Sequence, residues 1–192
     1  MKIAVINEVS ACDKNGAILQ ALKESTSAEI FNIGMSESSD APELTYIHTG
    51  LMAALTLNSG KADMVIGGCG TGQGFMISAM QYPGVFCGLI DNPLDAWLFS
   101  QINAGNCVSL ALNKGFGWAG DINLRYIFEK LFADSAGQGY PLHRSDSQAA
   151  SRAALQHIGS VTKRSMDEIL RNIASEVVSR VMEHRAFAEF ME

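Results

Sequence analysis

An α/β fold, a five-stranded parallel sheet with helices on both faces, is predicted by three observations. Short apolar runs alternate with helical stretches over the first two thirds of the 192 residues. Glycines crowd one strand-to-helix junction, from Gly67 to Gly74, as they do where an α/β sheet turns toward a ligand. Beyond residue 132 the strands stop and only helical spacing continues. Repeated β-α units of this length require right-handed crossovers, and these place helices on both sides of the sheet.

Lys2–Asn7 is a short apolar strand, followed by a helix over Asn15–Glu24 and a second strand over Ala28–Ile33. Leu44–Asn58 has helical spacing and Ala62–Gly67 is the third strand. A helix then begins at Gly74 and runs to Met80. Val85–Ile90 is a buried strand, Pro93–Asn103 a helix with proline in its first turn, and Asn106–Leu110 the fifth strand. Asp121–Phe132 is the last helix of the sheet-forming part, so residues 1–132 form one domain. Residues 133–192 form a helical extension, with a Gly- and Pro-containing loop over Ala136–Ser147 and helix over Ser151–Phe190. Met166, Ile169, Ile173, Val177 and Val181 recur at helical spacing there. They are too few for a separate core, so the extension is expected to pack on its own sheet or on a second subunit.

Composition excludes several functions. The chain is 47% hydrophobic and 18% charged, carries a formal charge of −6 and has a pI near 5.2. It has no basic cluster for nucleic acid. No apolar run approaches the roughly 18–20 residues that cross a bilayer, and the N-terminus enters a strand directly, so a cytoplasmic, non-membrane protein is expected. Cys12, Cys69, Cys87 and Cys107 lie far apart, without C-x-x-C pairs or histidines at ligand spacing, so free thiols and no metal are expected.

The chemistry is expected at residues 63–76. There an apolar strand runs into glycines that bracket Cys69 and Thr71, ahead of a helix. A thiol at such a junction sits among unpaired backbone N–H groups at the positive end of a helix dipole, which favours a thiolate or a bound oxyanion. A small buried cysteine in a tight glycine turn is the alternative. The segment lacks the Gly-Lys-Ser/Thr ending of a P-loop and the spacing of a dinucleotide site, which makes nucleotide binding the weaker expectation. Glu8, Cys69 and Asp91 all fall at carboxyl ends of strands, where ligands of parallel sheets bind.

Gly68-Cys-Gly-Thr-Gly-Gln-Gly-Phe-Met-Ile-Ser-Ala, Pro83-Gly-Val, Asp95-Ala and Asn103-Ala-Gly-Asn-Cys-Val-Ser-Leu together resemble the ribose-5-phosphate isomerase B and galactose-6-phosphate isomerase family over residues 1–132. The resemblance implies a Rossmann-like three-layer sandwich, a homodimer or homotetramer with sites at the subunit interface, a phosphorylated sugar as substrate, and no cofactor. It implies Cys69 as the base that moves a proton between C1 and C2. Thr71 would relay hydroxyl protons, and the N–H groups of Gly70, Gly72 and Gly74 would form an anion hole. Asn103 matches a substrate-binding asparagine. Arg144 and Arg152 are the candidate phosphate cations from the C-terminal region, with Lys14 and Arg125 behind them.

Two departures bear on the substrate. The family's Asp-His after the first strand is Glu8-Val9, which keeps a hydrogen-bonding carboxylate and loses a histidine. The histidine that opens the sugar ring is Ile102, which cannot move a proton. Either His48 or His143 substitutes, or the substrate is already open-chain, as a tetrose 4-phosphate is. His48 is a candidate substrate contact, although a lone helical histidine is more often a packed or capping residue. A catalytically reduced relative that only binds sugar phosphate, or that serves as a partner subunit, is the alternative to an isomerase.

Overall fold

The computed structural model describes residues 1–192. Five parallel strands form one sheet in the order β2-β1-β3-β5-β4. They are β1 (Lys2–Asn7), β2 (Glu29–Asn32), β3 (Met64–Cys69), β4 (Cys87–Ile90) and β5 (Cys107–Ala111). The chain leaves β1 toward one edge and returns to the other side with β3, so the topological switch lies between β1 and β3.

Period-two alternation in the strands builds two cores. Ile3 and Val5 of β1 point into a cluster with α1 (Asn15–Ser25) and α5 (Gly120–Leu131), whereas Ala4 and Ile6 point into a cluster with α2 (Tyr46–Asn58) and α3 (Gln73–Ala79). Val65 and Ile66 of β3 divide in the same way. Helices α2 and α3 cross closely at Gly50, where a Cβ would fall 2.1 Å from Ser78 Oγ. Helix α4 (Pro93–Leu98) is capped by Asn92, whose side chain accepts from the Asp95 N–H, and passes into a π-helical turn over Phe99–Asn103.

The extension is split. Helix α6 (Ser145–Thr162) starts six residues before the expected Ser151 and buries none of its residues. After it the chain breaks into α7 (Met166–Asn172), α8 (Ser175–Glu183) and α9 (Arg185–Met191). Met166, Ile169, Ile173 and Val177 pack against the α2/α3 core, and Val181 and Phe187 are fully buried within it. The apolar stripe of 166–191 therefore packs on its own sheet. Lys163 marks the changeover by donating from Nζ to the Met80 and Tyr82 carbonyls at 2.7 and 2.8 Å, which closes the end of α3. No helix is long and apolar enough to cross a membrane.

Candidate active site

Strand β3 runs two residues past the expected Gly67, because Gly68 and Cys69 continue the ladder against β5. Both glycines are required by close approach. A Cβ at Gly67 would lie 2.4 Å from the Phe75 ring, and one at Gly68 would lie 2.3 Å from the Leu110 carbonyl oxygen. Cys69 is thus the last strand residue, 6% exposed, at the carboxyl edge beside the switch point. Thr71 is exposed, with Oγ1 4.0 Å from Cys69 Sγ.

The turn between Cys69 and α3 is fixed by its own hydrogen bonds. The Gly72 N–H donates to the Cys69 carbonyl at 3.3 Å, and Gly72 has φ +73°, a conformation that favours glycine. Ser109 Oγ donates to the Gly72 carbonyl at 2.5 Å. The Gly70 N–H donates to Ser10 Oγ at 3.1 Å, and the Ser10 hydroxyl in turn donates to the Glu8 carboxylate. This differs from an anion hole made by all three glycines. The N–H groups of Gly70 and Gly72 are spent inside the turn, while those of Thr71 and Gly74 have no intramolecular acceptor. The side chain of Tyr46 lies over the entry to α3, 3.0 Å from where a Gly74 Cβ would be.

Glu8 is 4% exposed and caps the 3-10 turn Val9–Lys14 by accepting from the Ser10 N–H at 3.1 Å. Its carboxylate is coupled to the Cys69 turn through Ser10. Asn113 completes the frame, with Nδ2 donating to the Ser10 carbonyl at 2.6 Å and its N–H to the Gly70 carbonyl at 3.0 Å. Ser10 and Asn113 belong to no motif, and Ser109 lies within the Asn103–Leu110 stretch without a role of its own there. The Glu8-x-Ser10 capping pattern was the one available signal. Asp91, at the end of β4, pairs with Lys114 at 3.0 Å and does not join Glu8 and Cys69.

His48 is the third helical residue of α2. Its Nδ1 accepts from the Thr45 N–H at 3.0 Å, so the capping role is the one its geometry serves. Burial, and after it the charge of Arg180, hold its pKa below the ordinary 6.5, against an opposing pull from Glu176.

Asn103, Arg144 and Arg152 come together elsewhere. They line a cavity of about 650 Å³ with Phe99, Ile102 and Gln148, between α6 and the start of β4. Arg152 is half-buried, and its guanidinium donates to the Ile102 carbonyl at 2.8 Å and to the Gly137 carbonyl at 3.0 Å. Arg144 is exposed and donates from Nε to Ser147 Oγ at 3.3 Å. This cavity faces the amino ends of β4 and β5, whereas Cys69 ends β3 at the opposite edge, a strand length of roughly 15 Å away. Lys14 pairs with Asp13 and its Nζ lies 5.3 Å from the Phe116 ring centroid, while Arg125 engages Glu24 and Glu129 on α1 and α5. No cluster of three or more His, Cys, Asp or Glu side chains has metal-binding geometry.

Comparison with known proteins gives the same picture of the fold. The crystal structure of ribose-5-phosphate isomerase LacAB_rpiB from Vibrio parahaemolyticus is 44% identical, with TM-score 0.95, over 99% of this chain and 91% of that one. A 4-deoxy-L-threo-5-hexosulose-uronate ketol-isomerase, solved with a tartrate, is 42% identical at the same TM-score and coverage. The type B ribose 5-phosphate isomerase of Trypanosoma brucei, at 22% identity and TM-score 0.69, covers 82% of this chain and 97% of its own and shares the fold. Comparison with curated proteins gave no match. The family model described as Ribose/Galactose Isomerase matches residues 3–129, from β1 through α5, and the chain belongs to that family of isomerases.

Proposed function

We propose that this chain is an aldose–ketose isomerase in which Cys69 is the base. The observation that carries the reading is the placement of this thiol. It ends the central strand at the switch point, next to the Thr71 hydroxyl and to backbone N–H groups with no other acceptor. As thiolate, Cys69 would take the proton from the carbon beside the carbonyl and return it to the neighbouring carbon. The N–H groups of Thr71 and Gly74 would hold the enediolate oxygen as its charge develops, and the Thr71 hydroxyl would pass a proton between the two oxygens. Glu8, braced by Ser10, would accept hydrogen bonds from substrate hydroxyls.

Asn103, Arg144 and Arg152 cannot reach Cys69 within one chain, so a complete site needs a second subunit that brings its own cavity to this turn. Helix α6 suits that assembly. Its Leu155, Ile158 and Val161 are 51–69% exposed at successive turns, and Ile77 and Met80 at the end of α3 are also exposed. The arginines would hold the substrate's anionic group, Arg144 with a largely free guanidinium and Arg152 with one already oriented.

The substrate is inferred to be open-chain, since Ile102 lines the cavity where ring-opening chemistry would need a proton carrier. A tetrose 4-phosphate or related short sugar phosphate fits this requirement. So does an acyclic uronate, whose carboxylate pairs with the arginine fork. The relative named for a uronate ketol-isomerase favours including that second reading. Deuterium incorporation beside the carbonyl, followed by NMR in D2O over four-, five- and six-carbon sugar phosphates and the uronate, tests both. Exchange is expected with at least one and is lost roughly 10²–10⁴-fold in Cys69→Ala, with ligand binding retained. Saturable binding without exchange by the unmodified protein would favour the binding-only relative.

A further inference from the structure

Cys87 and Cys107 form a second pair of chemically capable side chains, separate from Cys69. They are the first residues of β4 and β5 and are direct register partners in the parallel ladder. Register partners project to the same sheet face, and both thiols belong to the core beneath α2 and α3. Adjacent strands run about 4.8 Å apart, inside the roughly 4.4–6.8 Å Cα window that a disulfide spans. The ends are stitched together, since the Cys107 N–H donates to the Phe86 carbonyl at 3.2 Å and the Phe86 N–H to Asn106 Oδ1 at 2.9 Å.

The two sulfurs differ in access. Cys107 is fully buried, while Cys87 is half-buried on an edge strand and lines the cavity that holds Asn103 and Arg152. Burial, and after it the adjacent Cys87 thiol, push the Cys107 pKa well above its ordinary value, which leaves Cys87 as the accessible first point of attack.

We propose that Cys87 and Cys107 are a peroxide-oxidised dithiol that closes reversibly into a disulfide. Cys87 Sγ attacks one oxygen of hydrogen peroxide, the O–O bond breaks to give the sulfenic acid and hydroxide, and the Cys87 proton converts that hydroxide to water. Cys107 Sγ then displaces the sulfenic hydroxyl, the S–S bond forms as S–O breaks, and a second water leaves with the Cys107 proton. Two thiols lose two electrons and the peroxide gains them. Neither Cys12, in the 3-10 turn, nor Cys69, opposite Ala111, has a cysteine as strand partner.

The chemistry requires no turnover, and activity is a poor readout because oxidation of Cys69 would also abolish it. The test is non-reducing peptide mapping of the full chain after hydrogen peroxide treatment and alkylation. The expected result is a Cys87–Cys107 cross-linked peptide in most chains, with intact mass lowered by about 2 Da and restored by dithiothreitol. Cys107→Ser should instead accumulate a dimedone-trapped sulfenic acid at Cys87. Oxygen addition at Cys87 in the unmodified protein without a bridge, a bridge to Cys69 or Cys12, or a bridge between chains would each overturn the proposal.

Discussion

Gly72→Ala separates backbone strain from ordinary surface substitution, and its cost can be worked from the structure. Gly72 sits at φ +73°, where an L-residue costs about 1–2 kcal/mol. A Cβ there would meet Leu89 Cδ1 at 2.4 Å, which a side chain can yield. It would also meet Ala111 N and Leu110 C at 3.1 Å, which are ladder backbone and cannot, adding on the order of 1–2 kcal/mol. A total of about 2–4 kcal/mol corresponds, at about 2–4 °C per kcal/mol for a chain of this size, to a Tm lowered by roughly 5–15 °C. Gly16→Ala is the matched control. It lies in α1 with open space around its Cβ position, so alanine should stabilise the helix by roughly 0.5–1 kcal/mol. Urea denaturation of both variants at one pH measures the pair. Equal midpoints would refute the strain reasoning, and with it the view that Gly72 fixes the geometry between Cys69 and Thr71.

Two further perturbations address the surroundings of the site. His48 has a lowered pKa, so the folded chain resists protonation there and its contribution to stability is present above about pH 6.5 and lost as pH falls. His48→Gln keeps the cap and removes the titration, and it should flatten the fall in Tm between pH 7 and 5; an unchanged slope would contradict this. Ile158→Asp changes an exposed residue of α6, a helix with no buried residue, so it should leave the far-ultraviolet circular dichroism intact while dissociating the proposed assembly to monomer by sedimentation velocity.

The five strands and the glycine turn were legible because their signals are local. Alternating apolar residues and glycines at one junction carry the same meaning wherever the sheet lies. The position of Cys69 and Thr71 at that turn was legible for the same reason. Which N–H groups of the turn are free was not legible, since it depends on Ser10, some sixty residues away in sequence, taking the Gly70 N–H. His48 was ambiguous because a capping residue and a ligand share the same helical position, and only the Thr45 N–H decides between them. The apolar stripe of 166–191 was visible, but whether it packs on its own sheet depends on breaks near Lys163, Ile173 and His184. No proline or glycine marks those breaks. The separation of Asn103 from Cys69 became apparent only once each was assigned to an end of the sheet.

A site shared between subunits is tested most directly by complementation between two inactive variants. Cys69→Ala chains and Asn103→Ala chains, each alone, should isomerise the best substrate at a small fraction of the unmodified rate. Co-expressed, half of the dimers would be mixed, each with one intact site, so activity should return to about a quarter of the unmodified level. Activity no higher than the two variants measured separately would contradict a site built from the Cys69 turn of one subunit and the Asn103 cavity of the other.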